Sequence, residues 1–291
     1  MLRMLGTRSP RPVLVYLAFT FALSSIFYSL IIKTGHLGAG GGAYVGCLMW
    51  CPGLAALLTC RYLGRDVASL GWKWGKTRYE LACYLIPLGY ATAIYTFVWL
   101  TGLAHFYNKS FVEGIAKDFG LGAIPNWAAI ALYFVFTATI GVIRDGATVL
   151  GEEIGWRGFL VPELAKRHGF ATTAIISGLI WAIWHWPILL FADYNPGTPV
   201  WFYLPLFTVL LPAISFVWTW MRLKSGSIWP SVVLHAAHNT FIQAFFDPLT
   251  VDTRQTRYVA GEFGAALLLI SFAMAIYFWR RGLPPSYREA I

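Results

Sequence analysis

Three short stretches of this chain set carboxylate, imidazole and amide side chains into otherwise apolar sequence. The first is Gly151-Glu152-Glu153-Ile154-Gly155-Trp156-Arg157. Residues four apart share a helical face, and an acid on the N-terminal side of a base is the favourable order, so Glu153 and Arg157 are expected to pair. Glu152 is then turned about 100° away. One carboxylate is neutralised and structural, and the other is left free to work. The second stretch, Trp181-Ala182-Ile183-Trp184-His185-Trp186-Pro187, places one imidazole among tryptophans. The third is Ser231-Val232-Val233-Leu234-His235-Ala236-Ala237-His238-Asn239. There His235 and Asn239 share one face and aim two hydrogen-bonding groups at one place, with His238 on the adjacent flank. Asp145 precedes Glu152 by seven residues and lies on the same face, next to Arg144.

These groups carry weight because of what surrounds them. The chain has 291 residues, of which 58% are hydrophobic and 12% charged, with a mean hydropathy of +0.61. The charged share is well below the roughly 25% of soluble domains, so the solvent for most of the chain is lipid. Lipid leaves no partner for an open backbone amide, which restricts spanning structure to helices and closed barrels. The apolar runs are continuous rather than alternating, which excludes a barrel. An ionisable side chain at that depth costs about 2.5–3.5 kcal/mol on insertion scales and is a functional candidate until a structural partner is found.

An all-α, polytopic membrane helix bundle follows, as a single integral membrane domain over residues 1–291. About eight spans are expected, near 13–32, 42–60, 81–103, 127–150, 171–192, 199–221, 227–246 and 260–279. The first has an apolar run longer than a cleaved signal sequence and reads as an uncleaved anchor. Trp127, Trp201, Trp229 and Trp279 stand at span ends, where aromatic rings favour the interface. Cys47, Cys51, Cys60 and Cys83 form no paired C-x-x-C and read as small apolar residues. The connection 61–80 includes Arg65–Trp74, which is expected on the inner leaflet as an amphipathic segment or as a solvated loop. The connection 104–126 is a second candidate surface helix.

The net charge of +9 reflects topology rather than nucleic-acid binding, because the 22 basic residues are scattered through the connections. With the N-terminus inward, the cytoplasmic side carries sixteen of them, in the groups Arg3–Arg11, Arg61–Arg78, Arg157–Arg167, Arg222–Lys224 and Arg280–Arg288. The opposite side carries five, Lys33, Lys109, Lys117, Arg254 and Arg257. Both termini are therefore expected in the cytoplasm, in a multi-pass protein of the cell membrane.

The order E-E-x-x-x-R, aromatic-x-x-x-H, H-x-x-x-N on separate spans resembles the CAAX-protease and bacteriocin-processing family, also called the type II CAAX prenyl endopeptidase family. Here these motifs are Glu152-Glu153-x-x-x-Arg157, Trp181-x-x-x-His185 and His235-x-x-x-Asn239, within a core of about residues 120–245. Trp181 stands where the family often has phenylalanine. The resemblance implies an intramembrane endopeptidase that cuts near the cytoplasmic leaflet, on membrane-associated or lipidated peptide substrates. It makes Glu152 and His185 the pair that activates water and makes His235 with Asn239 the oxyanion stabilisers. Glu153 and Arg157 become supporting residues. The resemblance fits chemistry with or without a metal, and a metal-free glutamate mechanism with no cofactor is the expectation here. The competing chemistry uses Glu152, His185 and His235 as ligands of a zinc ion with water in the fourth position. A Ser231-based triad lacks an orienting carboxylate. Outside enzymology, the same fold would serve a membrane immunity or scaffold protein, or a small transporter.

Overall fold

The structure, a computed structural model, describes residues 11–120, 122, 124–195 and 197–283. The two chain ends, expected in the cytoplasm, lie outside the described residues, as do Arg3, Arg8 and Arg288. The helices are α1 (Arg11–Thr34), α2 (Ala43–Tyr62), α3 (Thr77–Leu100), α4 (Lys109–Asp118), α5 (Asn126–Phe136), α6 (Val142–Glu153) and α7 (Val161–Ala165). They continue as α8 (Phe170–Phe191), α9 (Val200–Ser225), α10 (Trp229–Asn239), α11 (Asp247–Leu249), α12 (Thr256–Val259) and α13 (Ala265–Arg281). Two short strands, β1 (His105–Phe106) and β2 (Thr250–Val251), pair antiparallel, with His105 opposite Val251.

The long helices are apolar on all sides, as helices that face both lipid and bundle must be. Pro52, Pro87, Pro187, Pro205 and Pro212 lie inside them, a composition that membrane helices tolerate. Six helical runs among the described residues are long and apolar enough to cross a membrane: Arg11–Thr34, Ala39–Tyr62, Thr77–Leu100, Asn126–Ala165, Phe170–Phe191 and Val200–Ser225. These correspond to the first six expected spans. The expected seventh corresponds to α10 and the π-helical turns after it, whose histidines and Asn239 lower its hydropathy. The eighth corresponds to α13, with 17 residues. The count of eight rests on these two.

The fourth span differs from its expected boundary at residue 150. It continues as one helical run from Asn126 to Ala165 through two π-helical stretches, Thr137–Gly141 and Ile154–Leu160. Glu152 and Glu153 therefore sit within the helix rather than at its end. Their polar groups find partners inside the bundle. Gly151 and Gly155 flank them and bring α2 close: a Cβ on Gly151 would lie 2.5 Å from Trp50 Cα, and one on Gly155 2.5 Å from Pro52 Cβ. Gly53 answers from the other side, where a Cβ would meet Gly151 O at 2.6 Å. Small residues spaced by four are how membrane helices approach this closely.

The connections also take definite form. Residues Lys109–Asp118 are an amphipathic helix capped by Asn108, with Val112 and Ile115 buried. The segment after α2 is anchored to the bundle through Leu70. Asp66 caps a 3₁₀ turn, Val67–Leu70, whose Leu70 is buried in the bundle. Gly71 O accepts from Ile228 N at 3.0 Å, and Trp72 O accepts from Trp229 Nε1 at 2.7 Å. The turn thus covers the N-terminus of α10.

Candidate active site

Glu152, Glu153 and Arg157 are all at most 2% exposed. Arg157 Nη1 donates to Glu153 Oε1 at 2.9 Å, the pair that the spacing of four anticipates. His235 Nδ1 reaches the same oxygen at 2.8 Å. One carboxylate thus binds a guanidinium from its own helix and an imidazole from α10. The Arg157 guanidinium also lies over the ring of Trp181, 4.1 Å from its centroid, a cation–π arrangement of the kind that is stronger when desolvated. Arg222 Nε donates to Arg157 O at 2.7 Å and ties α9 to the π-helical stretch after Glu153.

Glu152 has a different environment, although it is the adjacent residue. Its Oε2 accepts from Trp181 Nε1 at 2.8 Å and from Trp156 Nε1 at 3.2 Å. Indole is a donor only and carries no charge, so these contacts fix the carboxylate without neutralising it as an ion pair. Trp156 stands four residues after Glu152, as Arg157 does after Glu153. That spacing of four is legible in the sequence itself. Trp181 is a large aromatic in the place of phenylalanine, and its N–H gives it a contact that phenylalanine cannot make.

His185, on α8, hydrogen-bonds through Nδ1 to Trp181 O at 2.8 Å. A carbonyl only accepts, so Nδ1 carries the proton, and the neutral ring presents Nε2 as an acceptor. Asp145 lies beside Asn239, which gives that carboxylate a place at the edge of the site. Arg144 is exposed and forms no buried pair with it. His238 Nδ1 bonds the Tyr90 hydroxyl of α3.

Glu152, His185, His235 and Asn239, the four residues singled out from the sequence, line one cavity of about 200 Å³. Trp181, Trp184, Trp218 and His238 line it as well, together with Tyr194, Gln243 and Glu262. The last three had no spacing pattern to reveal them. Tyr194 and Glu262 come from connections after α8 and before α13, and Glu262 Oε2 accepts from the Tyr194 hydroxyl at 2.7 Å and from Gln243 Nε2 at 2.9 Å. The difference in depth between His185, near the end of α8, and His235, near the start of α10, is absorbed by α10, which begins inside the bundle beneath the Val67–Leu70 turn.

Among the described residues, no group of three His, Cys, Asp or Glu side chains stands close enough together to hold one metal ion. Glu152 Oε2, His185 Nδ1 and His235 Nδ1 are each engaged by protein groups, contacts that leave both Nε2 atoms able to bind a ligand.

The cavity occupies the half of the bundle that holds Leu37, the first turns of α2 and the end of α8. The basic connections lie at the other end.

Comparison with known proteins places the same residues in a family. Residues 146–241 match the family described as type II CAAX prenyl endopeptidase Rce1-like. A curated relative, CAAX prenyl protease 2 of Methanococcus maripaludis, is 29% identical over 133 residues, which cover 43% of this chain and 45% of the relative. The chain thus spans about half the length of that relative. The matched family segment begins before Glu152 and ends after Asn239, and so contains every motif residue whose geometry is described above. This central segment of the chain is thus similar to the Rce1-like type II CAAX prenyl endopeptidase family.

Proposed function

We propose that the protein is an intramembrane endopeptidase, which hydrolyses a peptide bond in a membrane-associated or prenylated protein or peptide by water activation at Glu152. The observation that carries this reading is the contrast between two adjacent glutamates. Glu153 is held by Arg157 and His235, whereas Glu152 is held only by neutral N–H donors and lines the cavity. A carboxylate that is buried, oriented and without an ion-pair partner is suited to proton transfer.

In this mechanism a water beside Glu152 gives one proton to the carboxylate as its oxygen attacks the substrate carbonyl. His185 Nε2 accepts the second O–H of that water and so orients it. Negative charge develops on the former carbonyl oxygen. His235 donates its Nδ1–H to Glu153, so its Nε2 can donate to that oxygen only when the ring is an imidazolium, with Glu153 as counter-charge. The four buried groups Glu152, Glu153, Arg157 and imidazolium His235 then sum to zero charge, which a low-dielectric site favours. The Asn239 amide is the second donor. Collapse of the tetrahedral intermediate returns the proton from Glu152 to the leaving nitrogen, which leaves one carboxyl product and one amine product. No step passes through a metal.

The test is cleavage of a prenylated or membrane-embedded peptide by protein reconstituted in liposomes. Glu152→Gln and His235→Ala are each expected to lower kcat by about 10²–10⁴-fold, the usual range for a proton-transfer group or an oxyanion donor. Unchanged biological activity in both variants overturns the reading. Stoichiometric metal whose removal by a chelator abolishes cleavage overturns the metal-free mechanism.

A further inference from the structure

The peptidase chemistry leaves one carboxylate of the cavity without a role. Glu262, in the connection before α13, lies outside the segment that matches the family, yet it lines the cavity with Glu152 and His185. Its neighbours fix its position. Phe263 is buried and packs on Tyr194 and Phe207, with ring centroids 5.4 and 5.3 Å away. Both of those rings also pack on the His185 imidazole, at 6.2 and 5.3 Å. The Tyr194 hydroxyl then donates to Glu262 Oε2 at 2.7 Å, so the carboxylate stands one tyrosine ring away from His185.

Its second donor is the Gln243 amide, at 2.9 Å to the same oxygen, and Gln243 follows Asn239 by four residues. Both donors are neutral, as they are at Glu152. No basic side chain among the described residues forms an ion pair with Glu262. Arg257, in the wall of a neighbouring cavity of about 420 Å³, pairs instead with Asp252, Nε to Oδ2 at 2.7 Å. The charges of Glu152, Glu153, Arg157 and imidazolium His235 cancel, whereas a half-buried Glu262 carboxylate adds a negative charge that no paired cation offsets. A cation that comes close to a carboxylate partly removed from water gains far more than it would in bulk solvent. Room for one exists, because Glu262 stands in the wall that the two cavities share.

We propose that Glu262 is a specificity-determining residue that binds a basic side chain of the substrate, so that the preferred substrate is a membrane-associated peptide with a lysine or arginine close to the scissile bond. Both carboxylates line one cavity of about 200 Å³. Extended chain advances about 3.3 Å per residue, which puts the basic residue within about three positions of the bond attacked beside Glu152. The apolar stem of such a side chain suits the aromatic wall of Tyr194 and Phe263, with its charged head at the carboxylate. The preference in cleavage rests on the peptidase reading above, but the cation site itself does not.

The test uses a prenylated peptide that carries lysine, or its uncharged counterpart norleucine, at each position in turn. Cleavage by the wild type in liposomes is expected to show kcat/KM at least about tenfold higher for lysine at one position or two adjacent ones. Glu262→Gln keeps the shape and an acceptor for Tyr194 and is expected to lose that ratio. Glu262→Lys is expected to prefer glutamate at the same position, and the Gln variant alone decides if the Lys variant does not fold. Binding is measured separately with labelled peptides and Glu152→Gln protein in detergent. The same lysine preference is expected there, and its loss in the double variant Glu152→Gln, Glu262→Gln. Equal kcat/KM for lysine and norleucine at every position overturns the proposal, as does a preference that survives in Glu262→Gln. If no peptide is cleaved but lysine-selective binding depends on Glu262, the peptidase reading falls while the cation site stands. If neither cleavage nor lysine-selective binding is found, the proposal falls as well.

Discussion

Replacing Gly151 by alanine adds one methyl group where α2 meets the helix that carries Glu152. The added carbon would lie 2.5 Å from Trp50 Cα, 2.7 Å from Met49 O and 2.8 Å from Trp50 Cγ. Two of these atoms are backbone, so no rotamer change relieves the contact. Carbon atoms in contact sit about 3.5–4.0 Å apart, so the two helices must separate by roughly 1 Å. A displacement of that size at a catalytic group costs on the order of 10²-fold in rate, and overpacking costs about 1–3 kcal/mol in stability. Gly146, five residues earlier on the same helix, is the control: its Cβ would find Val232 Cγ1 at 3.8 Å and Ala236 Cβ at 3.9 Å, ordinary contact distances. Gly146→Ala is therefore expected to keep wild-type activity, and Gly151→Ala to lose kcat/KM by about 10²-fold with a lower thermal midpoint. Equal kcat/KM for the two variants, measured in the same liposomes, refutes the claim that close approach of α2 positions Glu152.

Three further outcomes are expected. Trp181→Phe retains an aromatic ring over Arg157 but removes one N–H from Glu152 Oε2, so kcat should fall by about tenfold with KM little changed, the loss of one charge-assisted hydrogen bond. A wild-type kcat in this variant, beside an inactive Glu152→Gln, would show that the indole does not position the carboxylate. Arg157→Met leaves Glu153 without its guanidinium and should destabilise the protein by about 3–5 kcal/mol, read as thermal unfolding in detergent; a loss below about 1 kcal/mol, the scale of exposed pairs, contradicts the buried-pair assignment. The Asp193 carboxyl, outside the spans, accepts from Leu37 N at 2.7 Å and is paired with His36. The Leu37 N–H holds its titration below the ordinary aspartate range. Its contribution is therefore present above about pH 4, the unfolded value, and is lost as pH falls through the lowered folded value. Amide exchange at Leu37 should accelerate in that window for the wild type and show no such step in Asp193→Asn.

Hydropathy alone made the chain a helical membrane protein, because length and apolarity of a run are local properties and lipid permits few alternatives. Spacing alone predicted the Glu153–Arg157 pair, since residues four apart on a helix meet whatever surrounds them. The motifs likewise named Glu152, His185, His235 and Asn239, which the fold brings to one cavity. Tertiary structure decided what these residues touch. Glu152 meets Trp181 across 29 positions and Glu153 meets His235 across 82, and no periodicity within one helix encodes contacts between helices. The same holds for Tyr194 and Glu262, which lie in connections whose course is fixed only by the packing of α8, α9 and α13. The depth of α10 depends on the Val67–Leu70 turn, whose sequence is equally compatible with a surface segment. Its burial is set by backbone groups of residues 70–72 that bond to Arg222, Ile228 and Trp229, partners that exist only once the bundle has formed.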